Sequence, residues 1–151
     1  MGRAILLAAA ATIGLALPAC LPAPAAISVA GGGYVAKAPS AGGGAVMISS
    51  SASIPVLPVQ LQATLFLPLA KSGGYAVLGE VRGLTGGGFG GAYVGAGAGI
   101  GNLSANRTPG PVLTVFAGKP IAPNTAIEIR LLQSTRNGGT TAGFLGLRFT
   151  L

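Results

Sequence analysis

The chain has no histidine, a single cysteine and two acidic side chains, Glu80 and Glu128. Without histidine there is no Ser-His-Asp relay. A lone cysteine, Cys20, builds neither a disulfide framework nor a cysteine-based metal site. A glutamate-activated serine or a paired-carboxylate glycosidase is the acid–base chemistry that composition leaves open. Each glutamate, however, has an arginine two residues on, Arg82 or Arg130, which favours permanent ionisation and makes a poor general acid. The expectation is a non-enzymatic protein with no catalytic residues, no cofactor and no metal. Charge is scarce in general, at 7% of residues against 50% apolar, a balance that in a soluble domain would leave association-prone patches. Long apolar runs are also missing. Beyond residue 26 glycine, serine, proline or charge interrupts every stretch before it reaches the ~18 residues a membrane helix needs, so a helical membrane protein is excluded.

Part of the apolar content is N-terminal. Arg3 precedes the uncharged run Ala4–Leu17, which ends in proline and small residues, the layout of a signal peptide and too short for a permanent anchor. Ala23-Pro24-Ala25 has the small-x-small form of an ordinary cleavage site, which makes residues 1–25 the leader and 26–151 the mature domain. Leu17-Pro18-Ala19-Cys20 is a competing lipobox, with proline as a departure from the pattern; its use would acylate Cys20. Ordinary cleavage is the favoured reading.

In the mature part the hydrophobic pattern has period two. Leu57, Val59, Leu61, Ala63, Leu65, Leu67 and Leu69 alternate with Gln60, Gln62 and Thr64, which is a strand with one face too long and apolar for a sandwich and one too polar for a dry core. Tyr75, Val77 and Val81 oppose Glu80 and Arg82; Ile127, Ile129 and Leu131 oppose Glu128 and Arg130; Leu145, Leu147, Phe149 and Leu151 oppose Arg148. Lipid on one side and a polar lumen on the other accommodate both faces. Ala92, Val94, Ala96, Ala98 and Ile100 alternate with Gly95, Gly97, Gly99 and Gly101, and glycine repeated on one wall of a narrow barrel makes room for Glu, Arg and Gln from the others. Further strands are expected at Ile27–Lys37, weakly at Ala45–Ser50, and at Val112–Gly118 and Ala142–Leu151, with Lys119 to Asn124 among the turns. The second strand is the least secure, because Pro39, Pro55 and Pro58 interrupt Ala38–Pro58. The total is about eight strands of ~10 residues, which fits a closed antiparallel up-and-down transmembrane β-barrel.

The chain resembles the small outer-membrane β-barrel proteins of Gram-negative-type bacteria, a group that includes the OmpA membrane domain and OmpW- and opacity-like barrels. Two stretches carry the resemblance: the glycine-alternating Ala92-Tyr93-Val94-Gly95-Ala96-Gly97-Ala98-Gly99-Ile100-Gly101, and Gly146-Leu147-Arg148-Phe149-Thr150-Leu151, which is similar to the C-terminal barrel-assembly signal. Leu151 stands where the family favours Phe, and Phe144 where it favours a polar residue. The mature chain is also basic, with eight cations once Arg3 is removed, against two acids. The resemblance implies the bacterial outer membrane as location, insertion by the outer-membrane barrel assembly machinery with Gly146, Phe149 and Leu151 as its signal, and a structural or surface-interaction role in the cell envelope.

With an even strand count and periplasmic termini, Lys37, Lys71, Arg107 and Arg136 fall one to each outer connection. They either form a ring toward the lipid A phosphates or collect there because the lipid face cannot hold charge. Glu80, Arg82, Glu128, Arg130 and Arg148 point into the lumen, as a salt-bridge network that plugs it or as the lining of a narrow, anion-preferring channel; eight strands favour the plug. A secreted soluble β-barrel or sandwich binding protein remains as a further reading, one that would turn the apolar alternation inward. Gly86-Gly87-Gly88-Phe89-Gly90-Gly91 has the spacing of a phosphate loop but precedes a strand and reads as a turn. Asn102-Leu103-Ser104 and Asn106-Arg107-Thr108 are glycosylation sequons of consequence only in a eukaryotic source. Dispersed cations with no aromatic platform argue against nucleic acid.

Overall fold

The computed structural model describes residues 26–37, 41–54, 57–69, 74–85, 91–103, 108–136 and 139–151, so the expected leader 1–25 and Cys20 lie outside the described residues. The elements are β1 (Ala26–Lys37), β2 (Ala41–Ser53), β3 (Val59–Pro68), β4 (Tyr75–Leu84), β5 (Tyr93–Asn102), β6 (Gly110–Ala122), β7 (Thr125–Ser134) and β8 (Thr141–Thr150). Each pairs antiparallel with its sequence neighbours, and β1 pairs with β8 from Ser28↔Thr150 to Lys37↔Thr141, closing an eight-stranded up-and-down barrel. Closure leaves no sheet edge unpaired, and the strand count agrees with the one expected from the alternation.

Period two sorts the side chains. Outward positions include Val94, Leu113, Val115, Ile127, Ile129, Leu131, Leu145 and Leu147, all exposed, whereas Glu80, Glu128, Arg130 and Arg148 on the opposite parity are buried. This inverts the polarity of a soluble domain: the apolar alternation is turned out, against the soluble binding-protein reading, and closure excludes the sandwich.

Three boundaries differ from the sequence expectation. The second strand is not a doubtful Ala45–Ser50 but thirteen residues, Ala41–Ser53. Its Gly42-Gly43-Gly44 and Ser49-Ser50-Ser51 carry little strand propensity, yet it lies between two partners, β1 on one side and β3 on the other, whose ladders fix it. The third strand is shorter than expected, with Leu57 and Leu69 exposed beyond its ends. Lys119 to Ala122 is strand rather than turn; the turn is Pro123-Asn124, and the register shifts between Pro120 and Ala122. A bulge accommodates Pro120, which has no N–H to give to a regular ladder.

The glycines of β5 have a steric cause. Gly95 lies across from Arg82 on β4 and Phe116 on β6, and a Cβ there would come within 2.7 Å of the Phe116 ring. Gly97 lies across from Glu80, and a Cβ there would fall 2.6 Å from the Glu80 Cγ. Both distances are well inside van der Waals contact, so the large inward residues of β4 and β6 occupy space that β5 leaves free.

Candidate functional site

Inside the barrel the side chains divide into two chemically distinct regions. Toward the end that carries both strand termini, Ala26 and Thr150, lies a polar network. Inward alternation brings Ser28 from β1, Gln62 and Thr64 from β3, Glu80 from β4, Tyr93 from β5, Glu128 and Arg130 from β7 and Arg148 from β8 to a common centre. The Arg130 guanidinium joins both carboxylates: it ion-pairs with Glu80 Oε1, and its Nη2 donates to Glu128 Oε1 at 3.0 Å and Glu80 Oε2 at 3.3 Å. Arg148 Nη1 donates to Glu128 Oε2 at 2.8 Å, and its Nη2 to Gln62 Oε1 at 2.8 Å and Ser28 Oγ at 2.7 Å. Gln62 and Thr64 each donate to Glu80 Oε2 at 2.6 Å, and the Tyr93 hydroxyl donates to Glu128 Oε2 at 2.8 Å. All four carboxylate oxygens therefore accept from a guanidinium.

The pairing is only partly local: Glu128 does bond Arg130 two residues on. Glu80 takes its guanidinium from Arg130, fifty residues away, rather than from Arg82 on its own strand. Arg82 stands apart: it donates to Gln60 Oε1, lies 4.8 Å over the Tyr93 ring, and among the described residues makes no ion pair. The arrangement thus brings together four of the five charged residues expected in the lumen.

Above the network, toward the opposite end, the interior is apolar. Tyr34, Met47, Phe66, Leu78, Val112, Leu132 and Phe144 form one buried cluster. Phe66 packs 5.7 Å from Tyr34 and edge-on to Phe144 at 6.0 Å, and the Tyr34 hydroxyl donates to the Leu103 carbonyl at 3.0 Å. Sequence reasoning missed this layer. Its signal was the inward parity of Phe66 beyond Thr64 and the apolar Phe144 at a position where the barrel family prefers a polar residue.

At that apolar end Lys37 closes β1 and Arg136 follows β7; both are exposed, and Arg136 Nη1 donates to the Pro109 carbonyl at 3.3 Å. Lys71, Arg107 and residues 86–90 of the glycine run lie outside the described residues. At the C-terminus Phe149 and Leu151 point outward and are exposed, whereas Gly146 points inward. A Cβ on Gly146 would meet the Phe144 ring and the Gly31 backbone, so this glycine has a packing reason of its own.

The fold, as distinct from the interior network, has counterparts among solved proteins. The fold is that of small outer-membrane β-barrels. Neisserial surface protein A (NspA) superposes with a TM-score of 0.68 at 14% identity, covering 84% of this chain and 97% of its own. The N-terminal β-barrel domain of Pseudomonas aeruginosa OprF gives 0.57 at 17% identity, over 83% and 97% of the two chains. Ail, the attachment invasion locus protein of Yersinia pestis, solved in complex with the heparin analogue sucrose octasulfate, gives 0.54 at 11% identity, over 84% and 97%. No protein-family model matches the sequence, and no curated protein matches it.

Proposed function

We propose that the chain is a small barrel of the bacterial outer membrane with a structural or surface-interaction role in the envelope, its lumen closed to solutes by its own side chains. One observation carries the reading: Arg130, 1% exposed, bridges two buried carboxylates in the middle of the bore beneath an aromatic layer. A hydrated ion would have to part both. The apolar outward face supports membrane insertion, since lipid is the solvent in which exposed Leu, Ile and Val at these positions cost nothing. The rim cations Lys37 and Arg136 would face anionic groups such as lipid A phosphates, a role expected also of Lys71 and Arg107, which lie outside the described residues. Gly146, Phe149 and Leu151 would serve the barrel assembly machinery. The decisive experiment is reconstitution into planar bilayers, after confirming that the band in SDS shifts on boiling. A plugged barrel inserts without conductance steps, whereas discrete steps would overturn the plug and leave a narrow channel.

A further inference from the structure

The charges inside the barrel do not balance, although Arg82 is only half-buried. Three guanidiniums, Arg82, Arg130 and Arg148, face two carboxylates, and both carboxylates are committed to Arg130 and Arg148. The unmatched charge is that of Arg82, on β4 near the end that holds the strand termini. Its Nε is buried with no hydrogen-bond partner among the described residues. It also lines a cavity of about 300 Å³ at that mouth, together with Tyr93, Asn124, Thr125, Arg148 and Thr150. Guanidinium, amide and hydroxyl groups thus line one part of the space and Leu84, Pro120, Ala122, Pro123 and Ala126 much of the rest, and among the described residues no acidic side chain lines it. A cation desolvated beside an open cavity is relieved by an anion that enters it, and a planar guanidinium suits the paired oxygens of a carboxylate or phosphate.

We propose that this mouth is a binding site for a small free oxyanion, a phosphate or carboxylate group, with Arg82 as its principal contact and the Asn124–Thr125 corner as the neighbouring donors. The cavity is lined by residues of the bore such as Arg82, Tyr93 and Arg148 and by the Pro123-Asn124 turn, and by none of the exposed outward leucines, isoleucines or valines of β5 to β8, which favours a soluble anion over a lipid headgroup. Binding here needs no conducting pore, so it stands or falls separately from the plugged-lumen reading.

The test is titration of the purified barrel, in zwitterionic detergent at low ionic strength, with inorganic phosphate and separately with acetate, followed by calorimetry and by ³¹P line broadening for phosphate. One saturable site is expected for at least one of the two anions. Arg82→Gln should weaken it at least tenfold, Arg82→Lys, which keeps the charge but loses the planar fork, should weaken it measurably but less, and Arg136→Gln at the opposite end should leave it unchanged. Heat-modifiable mobility in SDS verifies that each variant is folded; if Arg82→Gln is not, the contrast between Arg82→Lys and Arg136→Gln decides, with a change in the first alone expected. Absence of saturable binding by either anion, or equal effects of substitutions at the two ends, would overturn the proposal.

Discussion

Replacing Arg130 by methionine isolates the centre of the interior. The side chain is fully buried and serves Glu80 and Glu128 at once. Methionine preserves much of the volume but leaves Glu80 with only Gln62 and Thr64 as donors, while Glu128 keeps Arg148 and Tyr93. Removing one partner of a buried ion pair costs about 3–5 kcal/mol, because the other charge stays desolvated. With a urea dependence of roughly 2 kcal/mol per molar, the unfolding midpoint should fall by about 2 M. Adding Glu80→Gln removes the stranded charge, so Glu80→Gln/Arg130→Met should recover more than half of that loss. The assay is urea unfolding in detergent or lipid vesicles, followed by far-ultraviolet circular dichroism and gel mobility, since the chain has no tryptophan to report fluorescence. A single variant within about 0.5 M of the parent, or a double variant no more stable than the single, would refute the account of Arg130 as the bridge.

Three further outcomes follow from the same geometry. Gly97→Val drives a branched side chain into Glu80 and the backbone of β4 and should abolish the heat-modifiable folded band, whereas Ala98→Val on the outward face should keep it. Ile129→Arg places a cation near the middle of an outward strand face and should destabilise the barrel in bilayers by about 2–4 kcal/mol, measured by reversible unfolding from vesicles; a neutral result would count against lipid contact there. Tyr34→Phe deletes the donor to the Leu103 carbonyl and should cost about 1–2 kcal/mol in the same unfolding assay.

The strands that could be read from sequence were those whose two faces differ in polarity. Around Ile127–Leu131 the alternation of Ile with Glu and Arg names both faces, and the structure places them so. β2 was obscured because glycine and serine suit either face, and its full length follows only from ladders to β1 and β3 that no local pattern encodes. Among the interior residues, charge announced itself by its scarcity, so Glu80, Glu128, Arg130 and Arg148 stood out. Their partners did not. The i, i+2 spacing pairs each glutamate with an arginine on its own strand on paper; that holds for Glu128 and Arg130, but Glu80 takes its guanidinium from Arg130 across the bore while Arg82 turns to Gln60 and Tyr93. The aromatic layer was hidden for the opposite reason. Phe66 and Phe144 are flanked by apolar residues of the opposite parity, Leu65, Leu67 and Leu145, so the alternation of apolar with polar residues that names the two faces elsewhere is missing there.

The placement of charge constrains partners more than its amount does. Both acids of the chain are inside the barrel, each held by a guanidinium, and three of the eight basic residues beyond Arg3 are inside with them. Of the other five, Lys37, Lys119 and Arg136 are exposed at strand ends or on the outward face, and Lys71 and Arg107 lie outside the described residues. With both acidic side chains inside, no acidic side chain is available to pair with these cations, which are left to solvent ions, the terminal carboxylate or an anionic partner. Lys37 and Arg136 share one end while Lys119 lies near the other, so an anionic surface presented to the end with Lys37 meets unopposed positive charge. Attraction of that origin weakens as ionic strength rises and the screening length falls below ~10 Å. Association with lipid A vesicles should therefore decline between low and physiological salt, and Lys37→Gln/Arg136→Gln should flatten that dependence; salt-independent association unaffected by the double substitution would require contacts other than charge.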